Sequence, residues 1–236
     1  MSRAALLTRQ SRRQLLRRVA IFASLSDSEL DALTTGTRTL RARELLFREG
    51  DPPTSAFVLV SGRLKVSMPT LAGHTLVVDY LEPGKVIGEL ALIDGVHRSA
   101  SVSAVVTSRL LAIERRNFLA FLARHPAASL ALLTELARKI RHFNQSVQES
   151  HASSLTDRLA RKLIALGQRF GAPGPDGLLI DLHLPQRELG DLIGYSRESV
   201  NKQLSAWSAA GVVRVGRGRI VIRDVAALAR EIHLQV

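Results

Sequence analysis

The chain contains no cysteine. That single absence excludes a disulfide framework, a thiolate zinc site, a cysteine nucleophile and a cysteine-ligated iron–sulfur cluster. No run approaches the ~18 consecutive apolar residues of a membrane span, so an integral membrane protein is not expected. The seven histidines include no close i, i+4 pair, and no metal site is expected from them. There is no nucleophile elbow, P-loop or pair of opposed carboxylates, so no enzyme is expected. Acidic residues are also missing from the start of the chain, the first being Asp27.

What is present is more than one small core needs. At 236 residues and roughly 150 per domain, one large domain or two small ones are expected. An apolar share of 46% and a charged share of 23% fit a folded globular chain. The formal net charge is +12, which suits a polyanionic partner, either nucleic acid or an anionic surface. Half of that excess lies in residues 1–20, where Arg3, Arg9, Arg12, Arg13, Arg17 and Arg18 stand without an acid. An arginine-rich stretch of this kind is either an organellar transit peptide or a solvated basic helix with Leu15, Leu16, Val19, Ala20 and Phe22 on its apolar side. Residues 150–236 carry +4, and the middle of the chain only +2.

Ser26 and Glu29 have capping-box spacing and predict a helix start. From Thr37 to about Ile113 the texture is that of short strands: 44–48, 56–61, 63–68, 74–81, 86–87, 99–106 and 109–113. Glycine and proline turns separate them, which predicts a sandwich or barrel. Helical texture returns at Arg115, and Pro126 to about Glu149 has no internal Gly or Pro. Within it Leu133, Leu136, Ile140, Phe143 and Val147 follow a 3, 4, 3, 4 spacing, read as the a/d seam of a parallel homodimer, with an amphipathic helix packed on its own domain as the alternative. Ser150–Ser154 is a predicted hinge. A helix over 155–167, a loop over 171–177 and a strand over 178–184 follow.

The C-terminal part is the most informative. Pro185 opens a short helix over 186–193, Gly194-Tyr195 breaks it, and Ser196 caps a second helix from Arg197 to about Trp207. Helix, glycine turn and helix at this spacing predict a helix-turn-helix, with Leu189, Ile193, Val200 and Leu204 as its internal contacts. The second helix offers Arg197, Glu198, Asn201 and Lys202 to base edges, and Ser196 and Ser199 to phosphate. Val212–Val215 and Arg219–Ile222 around Gly216-Arg217-Gly218 predict a wing, with Arg214, Arg217 and Arg219 directed at the DNA backbone.

Gly194-Tyr-Ser-Arg-Glu-Ser-Val-Asn-Lys202 resembles the recognition helix of the cAMP receptor protein/Fnr family of bacterial transcription regulators. Gly88-Glu-Leu-Ala-Leu-Ile-Asp-Gly-Val-His-Arg-Ser-Ala100 resembles that family's phosphate-binding cassette. Leu46-Phe-Arg-Glu-Gly-Asp51 and Ser61-Gly-Arg-Leu-Lys-Val66 resemble its β-roll turns. The resemblance spans about residues 20–224 and implies an α+β fold: a cyclic-nucleotide-binding-type β-roll (jelly roll), a long dimerisation helix and a winged helix-turn-helix. The corresponding boundaries are 1–125, 126–149 and 150–236. It further implies an effector site at Gly88, Glu89, Leu90, Arg98 and Ser99, with Glu89 accepting from a ribose hydroxyl and Arg98 and Ser99 holding the cyclic phosphate. On the long helix Phe143 and Asn144 stand where nucleotide-binding members often place small hydroxyl residues; Asn144 is the group able to hydrogen-bond a purine.

The implied effector is a cyclic nucleotide, cAMP or cGMP, with no covalent cofactor. The implied partners are double-stranded DNA, a second copy of the chain, a small-molecule effector and RNA polymerase, in the cytoplasm and without a membrane. The same fold with another effector or none, or a nucleotide-sensing module docking a partner protein, are the alternatives. Lys202 stands where the best-known member has arginine, and Gln203 where an apolar contact is usual.

Overall fold

The computed structural model describes residues 8–69, 75–152, 154–182, 184–216 and 218–232, with side chains left out at 142–143 and 145–152. The chain divides into two compact units, Met1–Pro69 with Val78–Lys139 and Thr70–Val77 with Ile140–Val236.

In the first unit, helix α1 (Arg9–Arg17) and a 3₁₀ turn (Ala20–Phe22) lead into helix α2 (Asp27–Leu33). The Ser26–Glu29 capping box forms on α2 as the sequence predicts. Strands β1 (Gly36–Leu40), β2 (Leu45–Phe47), β3 (Ser55–Ser61), β4 (Leu64–Pro69), β5 (Thr75–Leu81) and β6 (Val86–Ile87) precede helix α3 (Glu89–Asp94). Strands β7 (Ser101–Ala104) and β8 (Ser108–Glu114), helix α4 (Arg115–Arg124) and helix α5 (Pro126–Ala152) follow, α5 being assigned to the second unit from Ile140 onwards. The strands form two antiparallel sheets, ordered β1-β8-β3-β6 and β2-β7-β4-β5.

Strand alternation explains how the core is layered. On β3, Phe57 and Leu59 join Leu40, Ile87 and Leu110 of their own sheet and Leu46, Leu64, Val102 and Ala104 of the other, closing the sandwich. The intervening Ala56, Val58 and Val60, with Leu111 and Ile113, turn to the opposite face. There they pack under Leu16, Phe22, Leu30, Phe118, Phe121 and Leu132 from the helices. A strand buried on both faces reads as a continuous apolar run, which is what 56–60 is. Each such Leu, Val or Phe contributes about 1.5–3 kcal/mol on burial.

Arg9, Arg12, Arg13 and Arg17 lie on helix α1. Leu16 of α1 is fully buried. Arg13 forms a fork on Asp31 (3.0 and 2.5 Å) and donates to Asp27 (2.7 Å), while Arg17 also reaches Asp27 (2.8 Å). Hydrogen bonding to these guanidinium groups lowers both aspartates below their ordinary pKa. Acids later in sequence therefore answer part of the arginine excess.

Helix α5 continues to Ala152, three residues beyond the expected end, so the helix break is narrower than 150–154. Of the predicted seam, Leu136 is partly buried against the core of its own unit beside Leu132 and Ala128. The exposed apolar row is Leu130, Leu133 and Ile140. The side chains of Phe143 and Val147 lie outside the described residues. One turn of helix carries two apolar stripes here, and spacing alone cannot say which is used internally.

The second unit contains helix α6 (Leu155–Phe170), strands β9 (Gly171–Gly174) and β10 (Gly177–Ile180), helices α7 (Gln186–Ile193) and α8 (Arg197–Ala209), strands β11 (Val213–Gly216) and β12 (Arg219–Ile222), and helix α9 (Val225–Arg230). Its sheet is ordered β11-β12-β10-β9. Residues 171–174, expected as part of a loop, form a strand antiparallel to β10. Pro173 is tolerated because β9 is the edge strand. The strand expected over 178–184 ends at Ile180, and α6 extends past Gly167 to Phe170.

Candidate effector and nucleic-acid sites

In the first unit, Gly88 is the N-cap of α3 in the left-handed conformation, φ 79°. This places Glu89 at the start of the helix, where it is buried. Arg98 arrives from the far end of the following loop, pinned by two backbone bonds to the turn at Gly50-Asp51. Its side chain is buried, 4% exposed. Nη1 donates to the carbonyl of Gly88 (2.8 Å) and Nη2 to that of Ser55 (2.5 Å). The guanidinium lies 4.3 Å from the centre of the Phe47 ring. Nε is buried without a partner. Among the described residues Arg98 has no ion pair; burial pulls its pKa below the ordinary value, opposed by Asp51 and Glu89 nearby.

Glu89 has a different counter-ion. Lys139 of α5 donates to its Oε1 at 2.7 Å. Sequence reasoning missed Lys139, because nothing in its local pattern separates it from Arg138 or Arg141. Phe47 and Ser55 were missed as well, being brought to Arg98 only by the folded sheets. Leu90 is exposed, as is Ser99. Asn144 is exposed on α5 and belongs to the other unit.

Gly88 tolerates no side chain. A Cβ there would stand 2.4 Å from Arg98 Nη1, on a backbone of positive φ. Gly88→Ala is therefore expected to displace the Arg98 fork and lower the melting temperature by several degrees, about 1–3 kcal/mol. Thermal unfolding of the variant checks this, and an unchanged midpoint would refute the close packing.

In the second unit α7 and α8 form the expected helix-turn-helix. Gly194 is the left-handed cap of α7, φ 74°. Ser196 caps α8, its hydroxyl accepting from the Ser199 amide at 3.2 Å. A Cβ at Gly190 would lie 2.5 Å from the carbonyl of Tyr195, so the crossing leaves no slack. Leu189, Ile193, Val200 and Leu204 are all buried. Ser196, Arg197, Glu198, Asn201 and Lys202 are exposed along the start of α8, with Ser199 partly buried. Glu198 is held below its ordinary pKa by its own backbone N–H and by Ser196, so it is presented as an acceptor. Gln203 has a structural reason to be polar: its Oε1 accepts from Thr156 Oγ1 of α6 at 3.2 Å.

The wing differs from expectation at one arginine. Arg214 is paired with Asp176 of the β9–β10 turn at 2.8 Å, and so is held by its own sheet. Arg219 is exposed, and Arg217 lies outside the described residues.

Both halves match known families. Residues 37–125 match the cyclic nucleotide-binding domain and residues 157–231 the Crp-like helix-turn-helix domain. The chain is 32% identical over 210 residues to the cyclic AMP receptor protein of Thermus thermophilus, covering 88% of this chain and 94% of that protein. The chain belongs to the cAMP receptor protein/Fnr family. A CRP-like cAMP-activated global transcriptional regulator of Mycobacterium tuberculosis is 29% identical over 219 residues, 92% of this chain and 98% of that one. A solved structure of the c-di-GMP responsive global regulator CLP of Xanthomonas campestris shares the fold, with TM-score 0.73 and 22% identity, covering 84% of this chain and 97% of that one. Membership makes this chain a transcription regulator with a DNA-binding helix-turn-helix, and not an enzyme. No helix among the described residues is long and apolar enough to cross a membrane.

Proposed function

We propose that this regulator works as a homodimer whose affinity for its operator is set by a cyclic mononucleotide bound at Gly88, Glu89, Arg98 and Ser99. The observation that carries the reading is Arg98: a buried guanidinium with a free Nε and backbone carbonyls in place of a carboxylate. A buried cation without an ion pair is costly, and a phosphate supplies the missing anion. Glu89 suits the other end of the ligand. With Oε1 on Lys139, its second oxygen is the acceptor for a sugar hydroxyl. Ligand and α5 would then share one carboxylate, so occupancy of the site bears directly on the helix expected to pair with its twin. The exposed row of Leu130, Leu133 and Ile140 supports that pairing. Asn144 is the proposed purine contact.

At the other end Arg197, Glu198, Asn201 and Lys202 would read bases, while Ser196, Ser199, Arg217 and Arg219 would hold phosphates. Two such heads address half-sites one helical turn apart, roughly 34 Å. The relatives named for cAMP favour adenine over guanine as the base. Isothermal titration of the full chain against cAMP, cGMP and cyclic di-GMP tests the proposal. Saturable binding of one mononucleotide, with a gel shift that tightens in its presence, is the expected result. No heat from any of the three would overturn the effector reading in favour of another ligand or none.

A further inference from the structure

The amide of Asn201 already has a partner within the protein. Gln186, the first residue of α7, donates from Nε2 to Asn201 Oδ1 at 2.9 Å. The two helices that carry this pair approach closely where the chain turns between them: a Cβ at Gly190 would stand 2.5 Å from the Tyr195 carbonyl oxygen. Asn201 is exposed on the same stretch of α8 as Arg197 and Lys202. An asparagine that reads adenine does so with both ends of its amide, accepting from N6 and donating to N7. Here the accepting end is engaged by a neighbour, so the N–H₂ group is the end left over for the groove.

We infer that Gln186 is a specificity-determining positioning residue: it leaves Asn201 as a hydrogen-bond donor that selects bases with an acceptor edge over cytosine. The inference rests on the proposed reading of α8 as the base-contacting helix. Guanine offers N7 and O6, thymine O4 and adenine N7 as acceptors, whereas cytosine presents only the N4 amine. Gln186 itself does not touch the base. It acts through the amide it fixes, and replacing it by an acceptor should invert that amide. A carboxylate at 186 would accept from Asn201 Nδ2 and leave Oδ1 facing outwards.

The test is selection from a duplex library randomised across one half-site, using the full chain at low salt. Wild type is compared with Asn201→Ala, Gln186→Glu and Gln186→Ala. Asn201→Ala should flatten the preference at one position and so identify it. At that position wild type should disfavour C. Gln186→Glu should shift the preference to C or A by about five- to a hundredfold, the range one good base contact provides. Gln186→Ala should broaden it. The added negative charge of Gln186→Glu lowers affinity for every sequence alike, and relative preference is unaffected by that loss. An unchanged preference in Gln186→Glu at the position Asn201 controls would overturn the inference and leave the DNA reading standing. So would an Asn201→Ala profile identical to wild type. A wild-type chain that selects no sequence would instead overturn the reading of α8 on which the inference rests.

Discussion

Arg98→Ala is expected to weaken cyclic-nucleotide binding by about ten- to a hundredfold, measured by calorimetric titration. A charge-assisted hydrogen bond contributes roughly 1.5–3 kcal/mol, and the guanidinium is the cation proposed to meet the phosphate. The structure adds a second effect that the sequence did not announce. Arg98 is also the donor to the buried carbonyls of Gly88 and Ser55, and alanine leaves both without it. A buried acceptor stripped of its donor costs about 1–3 kcal/mol, so the sensing unit should also melt earlier. Arg98→Lys separates the two: it keeps the charge and loses the fork, and should recover part of the binding but little of the stability. A wild-type dissociation constant in Arg98→Ala would remove this residue from the ligand site.

The second large effect is that of salt on DNA binding. For an interface of six to ten phosphate contacts, affinity should fall on the order of 10³–10⁵-fold between about 50 and 200 mM salt. The wing refines this expectation. Arg219→Ala should reduce the slope of log affinity against log salt by about one, as a phosphate contact does. Arg214→Ala should leave it nearly unchanged, because Asp176 already neutralises that side chain. A flat salt response of the wild type would contradict the phosphate-contact account. Equal slopes in the two variants would contradict the assignment of Arg214 to the sheet.

Where function was legible in the sequence, local chemistry carried the signal. Gly194 and Ser196 announce a turn and a cap within three residues, and both adopt the conformations those roles require. The strands of the sensing unit were legible because alternation and turn residues are local as well. The failures have a common cause in contacts between distant residues. Gly171-Ala-Pro-Gly174 has the composition of a loop and pairs as a strand only because β10 offers it an edge. Leu136 fits a seam by spacing and also packs partly against the core beside it, a contact that spacing does not reveal. Arg98 was identified by its motif, but its burial depends on Ser55, 43 residues earlier, and on the ring of Phe47. Lys139 reaches Glu89 across 50 positions, a pairing no local pattern encodes.

The closed crossing at Gly190 has a consequence for the operator. A reading head whose helices cannot shift against each other has no means of adjusting to a half-site of imperfect shape. A mismatch between such a head and the relaxed duplex would then fall on bending or twisting of the DNA. Base pairs between the half-sites, touched by no side chain, would govern affinity through their stiffness, with flexible pyrimidine–purine steps favoured where the duplex has to kink.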